Sequence, residues 1–216
     1  MIEDLPSVLI DLIKSYVIYK SKTNLQLKES VKLWIKNENN IQKKMCHISI
    51  WDTSDITDMS FLFYNYSDFN EQLYWNTSNV ISMTGTFSHC TSFNQELNWD
   101  TSNVTDMMCM FSNCTSFNQN LNWNTSKVKN MSYMFSYCTF FNQELNWDTS
   151  KVWNMCYMFY ACTSFNQKLN WNTSNVNGIF RMFFNCTSFN QELNWNISKV
   201  NDTNEMFFNC TSCIKS

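Results

Sequence analysis

Residues 99–122 read WDTSNVTDMMCMFSNCTSFNQNLN, and Trp123 starts the same phrase again. Trp51, Trp75, Trp99, Trp123, Trp147, Trp171 and Trp195 follow one another at intervals of 24 residues, without an insertion. Numbered from Trp as position 1, the aligned copies give the consensus W-[DN]-T-S-x-V-x-x-M-x-x-M-F-x-x-C-x-x-F-N-Q-x-L-x. Six full copies span 51–194, and a seventh, two residues short, spans 195–216. A fixed period of about 20–50 residues marks stacked arrays, in which no copy closes a core alone and each is stabilised by its neighbours.

Within a copy, Phe at position 19, Leu at 23 and the next Trp share one parity, with polar residues between them, as along a half-buried strand. Val at 6, Met at 9, Phe at 13 and Cys at 16 follow steps of three and four, as on one face of a helix, behind a Ser at 4 suited to an N-cap. The reading is an α/β solenoid of seven coils, each a short strand, a polar turn and a short α or 3₁₀ segment. Stacking would make a ladder of every position. Trp99, Trp123, Trp147 and Trp171 are assigned to the core, and Asn94, Asn118, Asn142, Asn166 and Asn190 at position 20 to a side-chain ladder bonding adjacent coils. Residues 1–46 read as a helical cap, with one helical pattern through Leu5, Leu9, Leu12, Ile13 and Tyr16 and a second from about Leu25 to Lys36. Residues 47–216 read as the solenoid. The last copy carries Thr203 for a core Met and Cys213 for a core Phe. This either blunts an open edge or leaves it to associate end to end with another chain.

Composition excludes several functions. The chain of 216 residues carries a net charge of -3, which does not favour nucleic acid, whose phosphates need a basic footprint. Only 2 Gly argue against a phosphate-cradling loop. Single cysteines at 24-residue spacing, among them Cys114, Cys138, Cys162 and Cys186, lack the paired ligands of a zinc site. They are read as reduced, buried core thiols, with a disulfide ladder between coils as the alternative. The methionines at 9 and 12 are read as core filler rather than copper ligands. No cofactor is expected, and neither His47 nor His89 has an identifiable catalytic partner. Uniform coils leave no long loop to hold an active site, so catalysis is not expected. Glu3, Asp4, Asp11 and Lys14 interrupt the apolar N-terminus, and no run approaches the ~18 residues of a membrane span. An intracellular, non-secreted protein is expected.

The phrase from Trp99 to Trp123 resembles the repeat of BspA-like leucine-rich-repeat surface proteins, and Leu27–Met59 looks like the lead-in of intracellular relatives in protists and large DNA viruses. The resemblance implies a leucine-rich-repeat-like solenoid that binds other macromolecules and has no known catalytic site. Bacterial members are typically exported, and this chain shows no signal for it. The opening from Leu5-Pro6 to Tyr16 faintly resembles the start of an F-box, which would make the chain a ubiquitin-ligase substrate adaptor. A structural component of a virus particle is the third reading.

With scaffold positions assigned, the variable ones mark a candidate partner surface. Trp153, Tyr157 and Tyr160 fall at i, i+4 and i+7, one helical stripe, which Tyr133, Tyr137 and Phe184 extend. Exposed aromatic clusters are favoured anchors for protein partners. The alternative is lateral packing between neighbouring coils.

Overall fold

In the computed structural model, residues 19–37 and 45–210 are described; the proposed helix at the N-terminus and the end of the seventh copy lie outside them. Helix α1, Asn24–Lys36, starts where the Thr23 hydroxyl accepts the Gln26 amide and ends at Asn37, in the left-handed conformation that terminates helices. Its buried residues Leu27, Ser30, Val31 and Trp34 lie three and four apart or adjacent, and its apolar ones join the core under the first coil. Residues 19–21 run parallel to that coil: the Ser21 amide donates to the Asp52 carbonyl and the Asp52 amide to the Tyr19 carbonyl. A 3₁₀ turn, Ile48–Ile50, leads into Trp51.

Successive 24-residue copies stack in parallel, joined by single-residue bridges from Asp58 to Ser82, then Asp106, Asn130, Asn154 and Gly178. Equal positions form columns. Trp99 stacks on Trp75 at 6.4 Å, and Trp147 on Trp123 at 6.4 Å and on Trp171 at 6.3 Å. The position-13 phenylalanines stack alongside, as Phe111 on Phe135 at 5.7 Å, and in coils one to six each also meets the position-19 ring of its own coil, as Phe111 on Phe117 at 4.1 Å. Side chains such as Phe111, Met134 and Val152 are wholly buried. At roughly 1.5–3 kcal/mol for each large apolar side chain, this shared core is the main stabilising term of every coil.

The local structure differs from the expected strand and helix. Among the described residues no extended strand is formed, although burial alternates as a strand's would: Leu97, Trp99 and Thr101 are buried, Asn98 and Asp100 exposed. Side chains make most of the ties there. Each Trp from Trp99 to Trp195 donates its indole N–H to the Leu carbonyl two residues before the Trp of the preceding coil, as Trp123 to Leu97 at 3.0 Å. Each position-3 Thr donates to a position-2 carbonyl of the following coil, as Thr101 to Asn124.

The segment from position 9 to 16 is a train of turns, not a helix. Amides at 12, 14 and 16 mostly donate to carbonyls three residues back, as Met110 to Met107, Ser112 to Cys109 and Cys114 to Phe111. The amides between them leave the coil: Met107 donates to Asn130, Cys109 to Ser132, Phe111 to Met134 and Asn113 to Ser136 in the following coil. An α-helix would spend its interior amides internally and leave none for a neighbour. Turning the chain this way requires positive φ at positions 11 and 15, as in Cys109 (56°) and Asn113 (62°), the third residue of a type II turn. Glycine fills only one of these sites, Gly85; there a Cβ would meet the Phe61 ring at 2.5 Å. The others accept about 1–2 kcal/mol of backbone strain each, offset by the bonds to the next coil.

Among the described residues the seventh coil is the more exposed. Phe207 is 41% exposed where its counterpart Phe183 is buried, and Ile197 and Phe208 are also exposed.

Candidate functional site

The assigned core residues are placed as columns in the interior. Trp99, Trp123, Trp147 and Trp171 are 5–6% exposed, and Cys114, Cys138, Cys162 and Cys186 are wholly buried. These thiols are free, and each donates to the position-13 carbonyl of the preceding coil, as Cys138 to Phe111 at 2.9 Å and Cys162 to Phe135 at 2.8 Å. Burial pushes the Cys186 thiol up to about 12 and raises Cys114, Cys138 and Cys162 well above the ordinary value. A protonated, enclosed thiol is a poor nucleophile and a poor metal ligand. No group of three His, Cys, Asp or Glu able to hold a metal ion occurs among the described residues.

The Asn column bonds coil to coil. Asn118 donates its amide to the Asn94 side-chain oxygen, Asn142 to Asn118, Asn166 to Asn142 and Asn190 to Asn166, at 2.8–2.9 Å. Most copies add the neighbouring Gln: Gln167 reaches both the backbone and side-chain oxygens of Asn142.

The proposed aromatic stripe resolves into two surfaces, because no helix brings positions 7 and 11 onto one face. Tyr133 and Tyr157, both at position 11, stack at 4.4 Å; Tyr157 meets Tyr160 at 5.7 Å, Tyr137 meets Tyr160 at 5.2 Å, and Tyr160 stacks on Phe184 at 4.9 Å. Trp153 stands apart in the position-7 row, joined through its backbone to Lys129 and Asn177, and is 45% exposed.

The tyrosines wall a groove of about 320 Å³ floored by Ser112 and Ser136, with Asn113 and Arg181 on its rim. Its origin is position 14. Ser88, Ser112 and Ser136 leave it low in coils two to four, whereas Tyr160, Phe184 and Phe208 fill it in coils five to seven. Comparing position 14 across copies shows this step in the sequence. Burial and the adjacent Tyr157 push the Tyr133 phenol up to about 12, and burial with the Tyr160 hydrogen bond raises Tyr137. Both phenols are thus held further from ionisation than an ordinary tyrosine. Arg181 lies over the Phe180 and Phe184 rings at 5.1 Å and is paired with Glu205, so the groove presents no unpaired charge.

Both histidines have neighbours in the fold. His47 Nδ1 lies 2.8 Å from the Ser49 hydroxyl, and Nε2 lies 3.6 Å from Glu71. Nδ1 also accepts the Ser49 amide, the bond of a turn cap, and both ionisable side chains are about half exposed. His89 meets the Tyr64 ring edge-on at 5.6 Å. No helix among the described residues is long and apolar enough to cross a membrane.

A family model described as "Mycoplasma protein of unknown function, DUF285" matches residues 30–145 and again residues 121–216. No curated protein and no solved structure matches the chain.

Proposed function

The chain belongs to the DUF285 family, whose description carries no activity, and from its geometry we propose that it is a non-catalytic protein-interaction scaffold. On this reading the stacked coils are a solenoid of the BspA-like, leucine-rich-repeat kind, with a largely invariant interior and a variable outer surface. The observation that carries it is the tyrosine groove: Tyr133 and Tyr137 are 37% and 45% exposed, and their rings line a concavity with hydroxyl and amide groups around it. Tyrosine offers large contact area at low entropic cost together with a hydrogen-bonding tip, which suits a protein partner. The buried thiols and capped His47 supply no convergent acid, base and nucleophile, which favours binding over chemistry.

The test is affinity capture with the wild type and a Tyr137→Ser/Tyr160→Ser variant whose circular dichroism is unchanged. A partner retained by the wild type and lost by the variant is expected. Equal retention by both would remove the groove from the binding surface.

A further inference from the structure

A second groove, of about 440 Å³, runs along the stack between the position-5 and position-7 rows. Asp55 stands at its first-coil end, Ile81 lies along it, and Lys127 closes it at coil four. The two rows then continue in sequence with Lys129, Lys151 and Trp153, all exposed. Its charge is one-sided. Asp55 is tied to Lys20 at 3.1 Å, whereas among the described residues no carboxylate lies within ion-pairing distance of Lys127, Lys129 or Lys151. Asp100 and Asp148 feel Lys127 and Lys151 only behind their bonds to Ser102 and Ser150. Lys127 is steadied by the Asn103 side-chain oxygen at 2.6 Å, which keeps its charge at the groove end without neutralising it.

We propose that this groove binds an extended acidic segment of a partner protein, its carboxylates against Lys127, Lys129 and Lys151 and an apolar side chain on Trp153. Coils one to five cover roughly 20 Å at the spacing of paired chains, the reach of about six extended residues. Alternate side chains of such a segment face one way and recur at about 6.8 Å, which the flexible lysines can follow. Three cations on adjacent coils match a few carboxylates. A phosphate backbone would need a longer basic track, and the same coils carry exposed Glu96 and Glu144. Complementary charge supplies the encounter and the direction of docking, and Trp153 supplies the desolvated anchor.

Fluorescence anisotropy with a short labelled peptide alternating Glu with Leu tests this, against a counterpart carrying Gln for Glu. Saturable binding of the Glu peptide is expected, weakening about tenfold in Lys127→Ala/Lys129→Ala/Lys151→Ala and about tenfold for the Gln peptide. A Lys→Gln triple variant with the wild-type melting midpoint guards against a folding defect. The Tyr137→Ser/Tyr160→Ser variant should bind the Glu peptide normally, which separates this groove from the tyrosine one. No binding, equal binding of the Gln peptide, or an unchanged triple variant would overturn the proposal. So would displacement of the peptide by single-stranded DNA or phosphatidylserine vesicles at lower concentration than by unlabelled peptide.

Discussion

At the scale of single residues, the thiol column combines structural work with a clear pH signature. Cys90, Cys114, Cys138, Cys162 and Cys186 are neutral donors, held so by burial, with Cys90 and Cys186 moved from 9.0 to about 12. A folded-state value above the unfolded one means that unfolding releases protons at alkaline pH, so stability is whole below pH 9 and falls above it. Each thiol contributes a slope of up to about 1.4 kcal/mol per pH unit. Urea unfolding between pH 8 and 11 should show a steep loss that a Cys138→Ala variant reduces, and native thiols should resist aromatic disulfide reagents at pH 8. Rapid native labelling of the column would contradict this. Asn142 makes a second case, since its side-chain oxygen accepts both the Asn166 amide and Gln167. Asn142→Ala should cost about 1–3 kcal/mol by urea titration, while Asn142→Asp, which keeps the acceptor, should cost less.

At the scale of the element, α1 substitutes for a coil that would precede the first. In later coils the position-7 amide donates to the position-7 carbonyl behind it, as Ile81 to Thr57. Thr57 and Asp58 instead donate to the Asn24 side-chain oxygen at 3.0 and 3.3 Å. Leu27 and Val31 join the core at the first-coil end, where Phe63 is buried, whereas its counterpart Phe207 in coil seven is 41% exposed. Asn24→Ala should lower stability by about 1 kcal/mol and speed hydrogen exchange at Thr57 and Asp58, with coils five to seven unaffected. Exchange rising equally throughout would contradict a local capping role. The helical spacing of α1 was legible because one polar and one apolar face are enough to specify an isolated amphipathic helix. The same spacing at Met107, Met110, Phe111 and Cys114 misleads, because three-residue turns repeat with nearly the same period as a helix.

At the scale of the whole molecule, energy and register are carried by contacts between residues 24 apart. Backbone bonds between coils run forward at positions 9, 11, 13 and 15 and backward at position 7, so each coil is clamped by both neighbours. Removing residues 123–146 takes out one period and reconnects equal positions. That deletion should fold, with an unchanged circular dichroism spectrum and a lower melting midpoint. Removing residues 123–134 breaks every column and should leave the chain unfolded or aggregated. A folded half-period deletion would show that the columns are not what holds the coils together.

The 24-residue period and the columns of Trp, Phe, Cys and Asn are legible in the chain itself, because repetition makes each position's burial visible seven times. Only the tertiary structure decided which way the backbone bonds point. A buried apolar spacing says which side chains face inward, but an amide joins its own turn or the next coil according to the neighbour available. That choice replaced helix and strand with turns tied by side chains. It also parted Trp153 from the tyrosines, turning one expected stripe into two grooves.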